Sequence, residues 1–173
     1  MLERVKRENF PMECWNAYNL AKVKHGDIHQ VRKGSGEPYF VHPKGVAKIV
    51  KDNGGNIDQI RAALCHDTLE DTQTTDEELK ICIGEHAANL VRELTNQRYK
   101  IDQMGKEAYM SEKLLKLSNE ALLVKLADML YNITDQPTEA QEVRMLKNVA
   151  HLIMNRKDLT ENTLKLAIQV FGE

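Results

Sequence analysis

Apolar residues recur three and four positions apart along nearly the whole chain, and runs alternating apolar with polar are lacking. That spacing predicts an all-α fold, a single-domain helical bundle over residues 1–173. Met12, Trp15, Tyr18 and Leu20 predict a first helix that fades at His25-Gly26-Asp27. The stretch 31–39, VRKGSGEPY, holds two glycines and a proline and is predicted as loop. Pro43, favourable in a first turn, opens a predicted helix that stops at the pair Gly54-Gly55. Asn56 or Asp58 caps the next, which carries residues 60–69. Thr75 with Glu78 reads as a capping box for a short helix ending at Gly84. Further helices are predicted near 86–94, 106–117, 120–133, 139–155 and 161–171, the last capped by Thr160. The mostly polar stretch 96–103 is predicted to be irregular and to border a pocket.

Three segments break the apolar pattern with ionisable groups. In 62–72, AALCHDTLEDT, a continuous helix puts Asp67, Glu70 and Asp71 on one face, with His66 above Glu70. Burying such groups unpaired costs several kcal/mol each, and a divalent cation offsets that cost. In 121–135 the apolar residues surround the helix, whereas Lys125, Asp128 and Asn132 form one polar stripe. A carboxylate on such a helix needs a cation or several donors, so Asp128 is a candidate metal ligand. His42 precedes Pro43 at the third place. Two His and two Asp offer nitrogen and oxygen ligands without thiolate, a set suited to Mn²⁺, Fe²⁺ or Mg²⁺ rather than structural zinc.

Charge and cysteine content narrow the partners. Lys plus Arg number 24 and Asp plus Glu 26, a formal net charge of −2, which argues against binding a nucleic-acid polymer. A small nucleotide needs only a few cations in one pocket. Half of residues 1–10 are charged, which is not the pattern of a secretory leader, and the longest mainly apolar stretch, 121–131, is too short for a membrane span. Three widely spaced cysteines, Cys14, Cys65 and Cys82, predict reduced thiols in a cytoplasmic protein. His25, His29, His86 and His151 have no partner pattern and read as surface or loop residues, with His25 in a place to support the pocket loop. Cys65 reads as core and Lys113 as part of a solvated helix face.

The order His42, His66-Asp67, Asp128 resembles the H…HD…D signature of HD-domain phosphohydrolases. RKGSGEPYFVHPKGVAKIV, AALCHDTLEDTQTT and LLVKLADMLYN together resemble the hydrolase domain of RelA/SpoT-type proteins, above all the small stand-alone alarmone hydrolases. The likeness runs from about Trp15 to Phe171. It implies that His42, His66, Asp67 and Asp128 hold one Mn²⁺ and that Glu70 and Asp71 position or deprotonate the attacking water. It implies that Arg32, Lys33, Asn132 and Asp135 lie by the nucleotide, and that the reaction removes the 3′-pyrophosphate of ppGpp or pppGpp to leave GDP or GTP. The synthetase that long members carry in a following domain is not expected here. Another nucleotide phosphohydrolase, acting for example on NADPH or a nucleoside monophosphate, is the alternative enzyme reading. A non-catalytic nucleotide sensor is the alternative outside enzymes. The chain departs from the family in Met129, where Lys or Arg is usual, in a longer interval from His25 to Arg32, and in lacking an aromatic residue near Met145-Leu146.

Overall fold

A computed structural model describes residues 10–172. After a 3₁₀ turn at Met12–Cys14, α1 (Trp15–Asp27) leads into a long loop and then α2 (Val41–Asp52), α3 (Ile57–Cys65) and the single turn α4 (Thr68–Asp71). There follow α5 (Asp76–Ile83), α6 (Glu85–Leu94), α7 (Arg98–Met104), α8 (Lys106–Lys116), α9 (Asn119–Thr134), α10 (Glu139–Asn155) and α11 (Glu161–Val170). Among the described residues no strand forms, and the only β-type pairing is an isolated bridge between Val31 and Pro38 that closes the loop. The fold is all-α, as the periodicity requires.

Local chemistry sets the helix ends. Asn56 accepts from Gln59 N while the Gln59 side chain accepts from Asn56 N, a reciprocal capping box, and Thr138 with Gln141 repeats it at α10. Thr75 caps α5 by accepting from Glu78 N, and Ser118 and Thr160 cap α9 and α11 in the same way. Gly84 and Gly105, at φ 88° and 81°, take the left-handed conformation that separates consecutive helices.

Helices α3 and α9 are central. Helix α3 packs on α1, α2, α6 and α9, and α9 packs on α2, α6, α10 and α11 as well. Leu64, Leu122, Val124 and Leu126 are fully buried between these layers. Burying each such side chain contributes about 1.5–3 kcal/mol, enough in sum to hold polar groups inside.

Three expectations change. The helix 60–69 is interrupted, because α3 ends at Cys65 and α4 begins at Thr68. The His66 Nδ1–H donates to Ala63 O at 2.7 Å and Thr68 Oγ1 donates to Cys65 O at 2.8 Å, so side chains take carbonyls that backbone amides would otherwise use. The stretch 96–103 is largely helical, forming α7, which packs Ile101 against the core and is closed by Gly105. Lys113 is half-buried rather than solvated, donating to Leu94 O, Thr95 O and Asn96 Oδ1 at 2.6, 2.9 and 3.2 Å.

Candidate metal centre and its surroundings

Three elements bring their polar residues to one point. His42 stands in the first turn of α2, two positions further into the helix than a start at Pro43 suggests, because the turn at Tyr39-Phe40 starts the helix early. His66 and Asp67 occupy the break between α3 and α4, and Asp128 lies midway along α9. His42 and His66 are 1% and 5% exposed and Asp128 6%, whereas Asp67 is half-buried.

The ring nitrogens face each other, with His42 Nε2 3.3 Å from His66 Nε2. Asp128 Oδ1 is 3.1 Å from His42 Nε2 and 3.7 Å from His66 Nε2; Asp67 Oδ2 is 3.0 Å from His66 Nε2 and 3.6 Å from His42 Nε2. His42, His66 and Asp128 each offer a ligand atom within 4.8 Å of the others. Ligand atoms about 2.1 Å from one cation lie about 3.0–3.4 Å apart along the edges of an octahedron or tetrahedron. The measured spacings fall around that range, so the residues fit one divalent ion. The His66 tautomer supports this fit. Because Nδ1 donates its proton to Ala63 O, Nε2 is the nitrogen aimed at the cluster, and it becomes a bare lone pair once the ring gives up its second proton to an incoming cation.

Each carboxylate is oriented from outside. Asp128 accepts from Lys125 Nζ through Oδ2 and from Asn132 Nδ2 through Oδ1, both at 2.7 Å. Burial opposes the charge on Asp128, yet Lys125 and the two imidazoles hold its carboxyl well below the usual range. Asp67 Oδ2 accepts a 2.6 Å hydrogen bond from Tyr39 Oη. Burial and Asp67 together push the Tyr39 hydroxyl far up, so it remains a donor.

The two further acids diverge. Glu70 accepts from the backbone and side-chain amides of Asn96 at 3.1 and 3.4 Å, whereas Asp71 accepts from Gln30 Nε2 at 2.9 Å. Burial raises the Asp71 pKa, with Asp67 and Glu70 adding to it and Gln30 and His25 opposing it.

Arg32 is turned toward α9. Its Nε and Nη2 donate to Asp135 Oδ2 at 2.9 and 2.6 Å, and Nη2 donates to Asn132 Oδ1 at 3.0 Å. The guanidinium lies 5.7 Å from the ring centres of both Tyr39 and Tyr131. Arg32, Asn132 and Asp135 thus form one cluster joined to the centre through Asn132 and Asp128, and Lys33 in the sequence beside Arg32 is exposed. Met129 is buried in the core, where a charged side chain would need a partner.

Sequence reasoning passed over Tyr39, Gln30 and Asn96 as supports of the acids, and it read His25 as surface or loop although it is 1% exposed. One usable signal was its place on α1, four residues after Ala21 and eight after Ala17, on the face those alanines bury.

Fold and site together define a helical domain in which His42, His66 and Asp128 form a buried nitrogen–oxygen cluster that could hold a divalent ion. The sequence profile of the HD domain matches residues 17–159, and the chain belongs to the HD-domain family. Over 123 residues it is 42% identical to the guanosine-3′,5′-bis(diphosphate) 3′-pyrophosphohydrolase MESH1 of Xenopus tropicalis, covering 69% of this chain and 66% of that protein. Over 130 residues it is 44% identical to the guanosine-3′,5′-bis(diphosphate) 3′-pyrophosphohydrolase of Aquifex aeolicus, covering 70% of this chain and 17% of that protein. The matched region therefore spans less than the full length of both relatives. A solved structure described as a metazoan orthologue of SpoT that hydrolyses ppGpp superimposes with a TM-score of 0.77 at 26% identity, covering 94% of this chain and 96% of that one. Among the described residues, no helix is long and apolar enough to cross a membrane.

Proposed function

We propose that this chain is a divalent-metal-dependent pyrophosphohydrolase that removes the 3′-pyrophosphate of ppGpp or pppGpp. The observation that carries the reading is the convergence of His42, His66, Asp67 and Asp128, with two additional acids on the adjoining turn. The names of the similar MESH1 and Aquifex proteins supply the substrate. His42, His66, Asp67 and Asp128 would hold the ion; the nitrogen–oxygen donor set suits Mn²⁺, Fe²⁺ or Mg²⁺, and the family resemblance points to Mn²⁺. When bound, it supplies a Lewis acid for a phosphate oxygen and lowers the pKa of a water.

The chain's own groups do the rest. Water adds to the phosphorus joined to the ribose 3′ oxygen, that P–O bond breaks, and the products are pyrophosphate and GDP or GTP. Asp71, whose pKa is raised, accepts the proton of the attacking water, and Glu70 fixes the neighbouring turn through Asn96. Arg32 and Lys33 meet the phosphates or the base, and Asn132 and Asp135 hold Arg32 in place until the nucleotide arrives. Residues 1–173 act as one hydrolase domain, and the free thiols of Cys14, Cys65 and Cys82 suit the reducing cytoplasm.

Incubating the Mn²⁺-loaded protein with ppGpp, pppGpp, NADPH and nucleoside monophosphates tests this. Pyrophosphate release from ppGpp is the expected result. Inorganic phosphate from the other nucleotides, with ppGpp untouched, overturns the substrate; no turnover of any of them overturns the catalytic reading.

A further inference from the structure

The loop that brings Arg32 to the site also reaches Asp71, through Gln30. Resting on the reading of Asp71 as proton acceptor, we propose that Gln30, itself held by His25, is a positioning residue that fixes the rotation of the Asp71 carboxylate.

The hydrogen bonds in this chain have a determined direction. His25 Nδ1 lies 2.6 Å from Gln30 Oε1, and Gln30 Nε2 donates to Asp71 Oδ2 at 2.9 Å. An ionised Asp71 only accepts, so the Gln30 amide nitrogen must face it and the amide oxygen must face His25. That oxygen also only accepts, so His25 carries its proton on Nδ1. Nε2 of His25 is buried and has no hydrogen-bond partner among the described residues. A proton there would be an unsatisfied buried donor, so the ring is neutral. Burial lowers the His25 pKa, in agreement with that assignment.

The anchor is rigid at each step. His25 is 1% exposed, and its ring lies 4.8 Å from that of Tyr39, the residue that donates to Asp67. Gln30 N donates to His25 O at 3.1 Å and Gln30 O accepts from Tyr39 N at 2.9 Å, so its backbone is pinned on both sides. His29 before it takes φ 50°, the left-handed turn that lets the chain double back from α1. Gln30 is two residues from Arg32, so the placement of the substrate loop and the rotation of the acid are mechanically linked. Glu70 has no such link, since both its oxygens face Asn96.

The titratable groups around Asp71 are the carboxylates of Asp67 and Glu70 on its own segment and the neutral imidazole of His25 across the gap from α1. The two carboxylates disfavour its charge, and the Gln30 amide offsets them. In Gln30→Ala, kcat on ppGpp is expected to fall about 10- to 100-fold, the scale of losing one orienting contact, with KM nearly unchanged. The acidic limb of its pH–rate profile is expected to move to higher pH. In an Asp71→Asn background the same change is expected to add nothing further, because Gln30 acts only through that carboxylate. A readout without turnover is the ¹³C titration of the Asp71 carboxyl, expected to shift upward in Gln30→Ala. Unchanged titration, or a full additional loss in the Asp71→Asn background, overturns the inference. Absence of ppGpp turnover in the parent protein overturns the proposed function alone, and the carboxyl titration then decides the role of Gln30.

Discussion

Lys125 Nζ lies 2.7 Å from Asp128 Oδ2, three residues along the same helix, with the two side chains 12% and 9% exposed. The pair answers the question raised by a carboxylate on a helix that is apolar on every side. Burial lowers the affinity of Lys125 for its proton, but the adjacent Asp128 outweighs burial and raises the pKa, so the ammonium stays charged. Lys125 occupies Oδ2 while Oδ1, which also accepts from Asn132 Nδ2, faces the imidazoles, so the lysine and the asparagine together set which oxygen of Asp128 faces the centre.

Removing one member of a buried ion pair leaves the other uncompensated, at a cost of about 3–5 kcal/mol. Lys125→Met keeps the volume and removes the charge. It is expected to lose about that much stability in urea unfolding without added metal, and to regain part of it with Mn²⁺, which supplies a new counter-charge for Asp128. A Lys125→Met protein as stable as its parent would show that the pair contributes nothing.

Gly45 offers a second test, because two effects oppose each other there. Alanine in a helix interior is favoured over glycine by about 1 kcal/mol. A methyl at Gly45, however, would overlap the ring of Tyr131. That ring packs edge-on against His42 at 5.0 Å and lies 5.7 Å from the Arg32 guanidinium, so moving it aside disturbs both contacts. Overpacking of about 1–3 kcal/mol prevails. Gly45→Ala is expected to lower the melting temperature and to raise KM through Arg32, and a higher melting temperature would contradict this.

Gly45 also marks the limit of what the sequence discloses. Helical periodicity, caps such as Asn56 and Thr160, and the ionisable groups His66-Asp67 and Asp128 on apolar segments were legible, because each follows from spacing within one segment, and their meeting was implied by the family resemblance. The break at His66-Asp67 was not, because it depends on side chains competing for the carbonyls of Ala63 and Cys65. Nor were the contacts of Gln30 with Asp71 or Asn96 with Glu70, which join segments 41 and 26 residues apart. Lys113 misled for the same reason: its helix looks solvated until the carbonyl ends of α6 are laid against it.

The metal-free protein should carry a charge on His66. Burial pushes its pKa down, but Asp67, both by charge and by hydrogen bond, together with Asp128, raises it to about 9 from 6.5. A folded pKa above the unfolded one contributes stability that is full below pH 6.5 and lost as pH rises through about 9. Stability of chelator-treated protein is therefore expected to fall across that window, and the fall to vanish in His66→Gln. Mn²⁺ uptake at pH 7.5 is expected to release protons, measurable in buffers of different ionisation enthalpy. A flat stability profile for the metal-free protein would remove this group from the account.

Tyr39 and Glu70 separate holding the ion from using it. Tyr39→Phe deletes the hydroxyl that orients Asp67, leaving the ring against His25 and His42. Loss of an outer partner of this kind lowers metal affinity about 10- to 100-fold. Glu70 touches Asn96 rather than the imidazoles or Asp67, so Glu70→Gln keeps the ligands and disturbs the turn that carries Asp71. Its metal affinity is expected to match that of the parent while kcat falls about 100-fold or more, the scale of a displaced proton acceptor. Metal competition assays beside turnover at saturating Mn²⁺ distinguish the two. If excess Mn²⁺ restores Glu70→Gln and leaves Tyr39→Phe inactive, the roles are reversed, and Glu70 rather than Tyr39 supports the ligand shell.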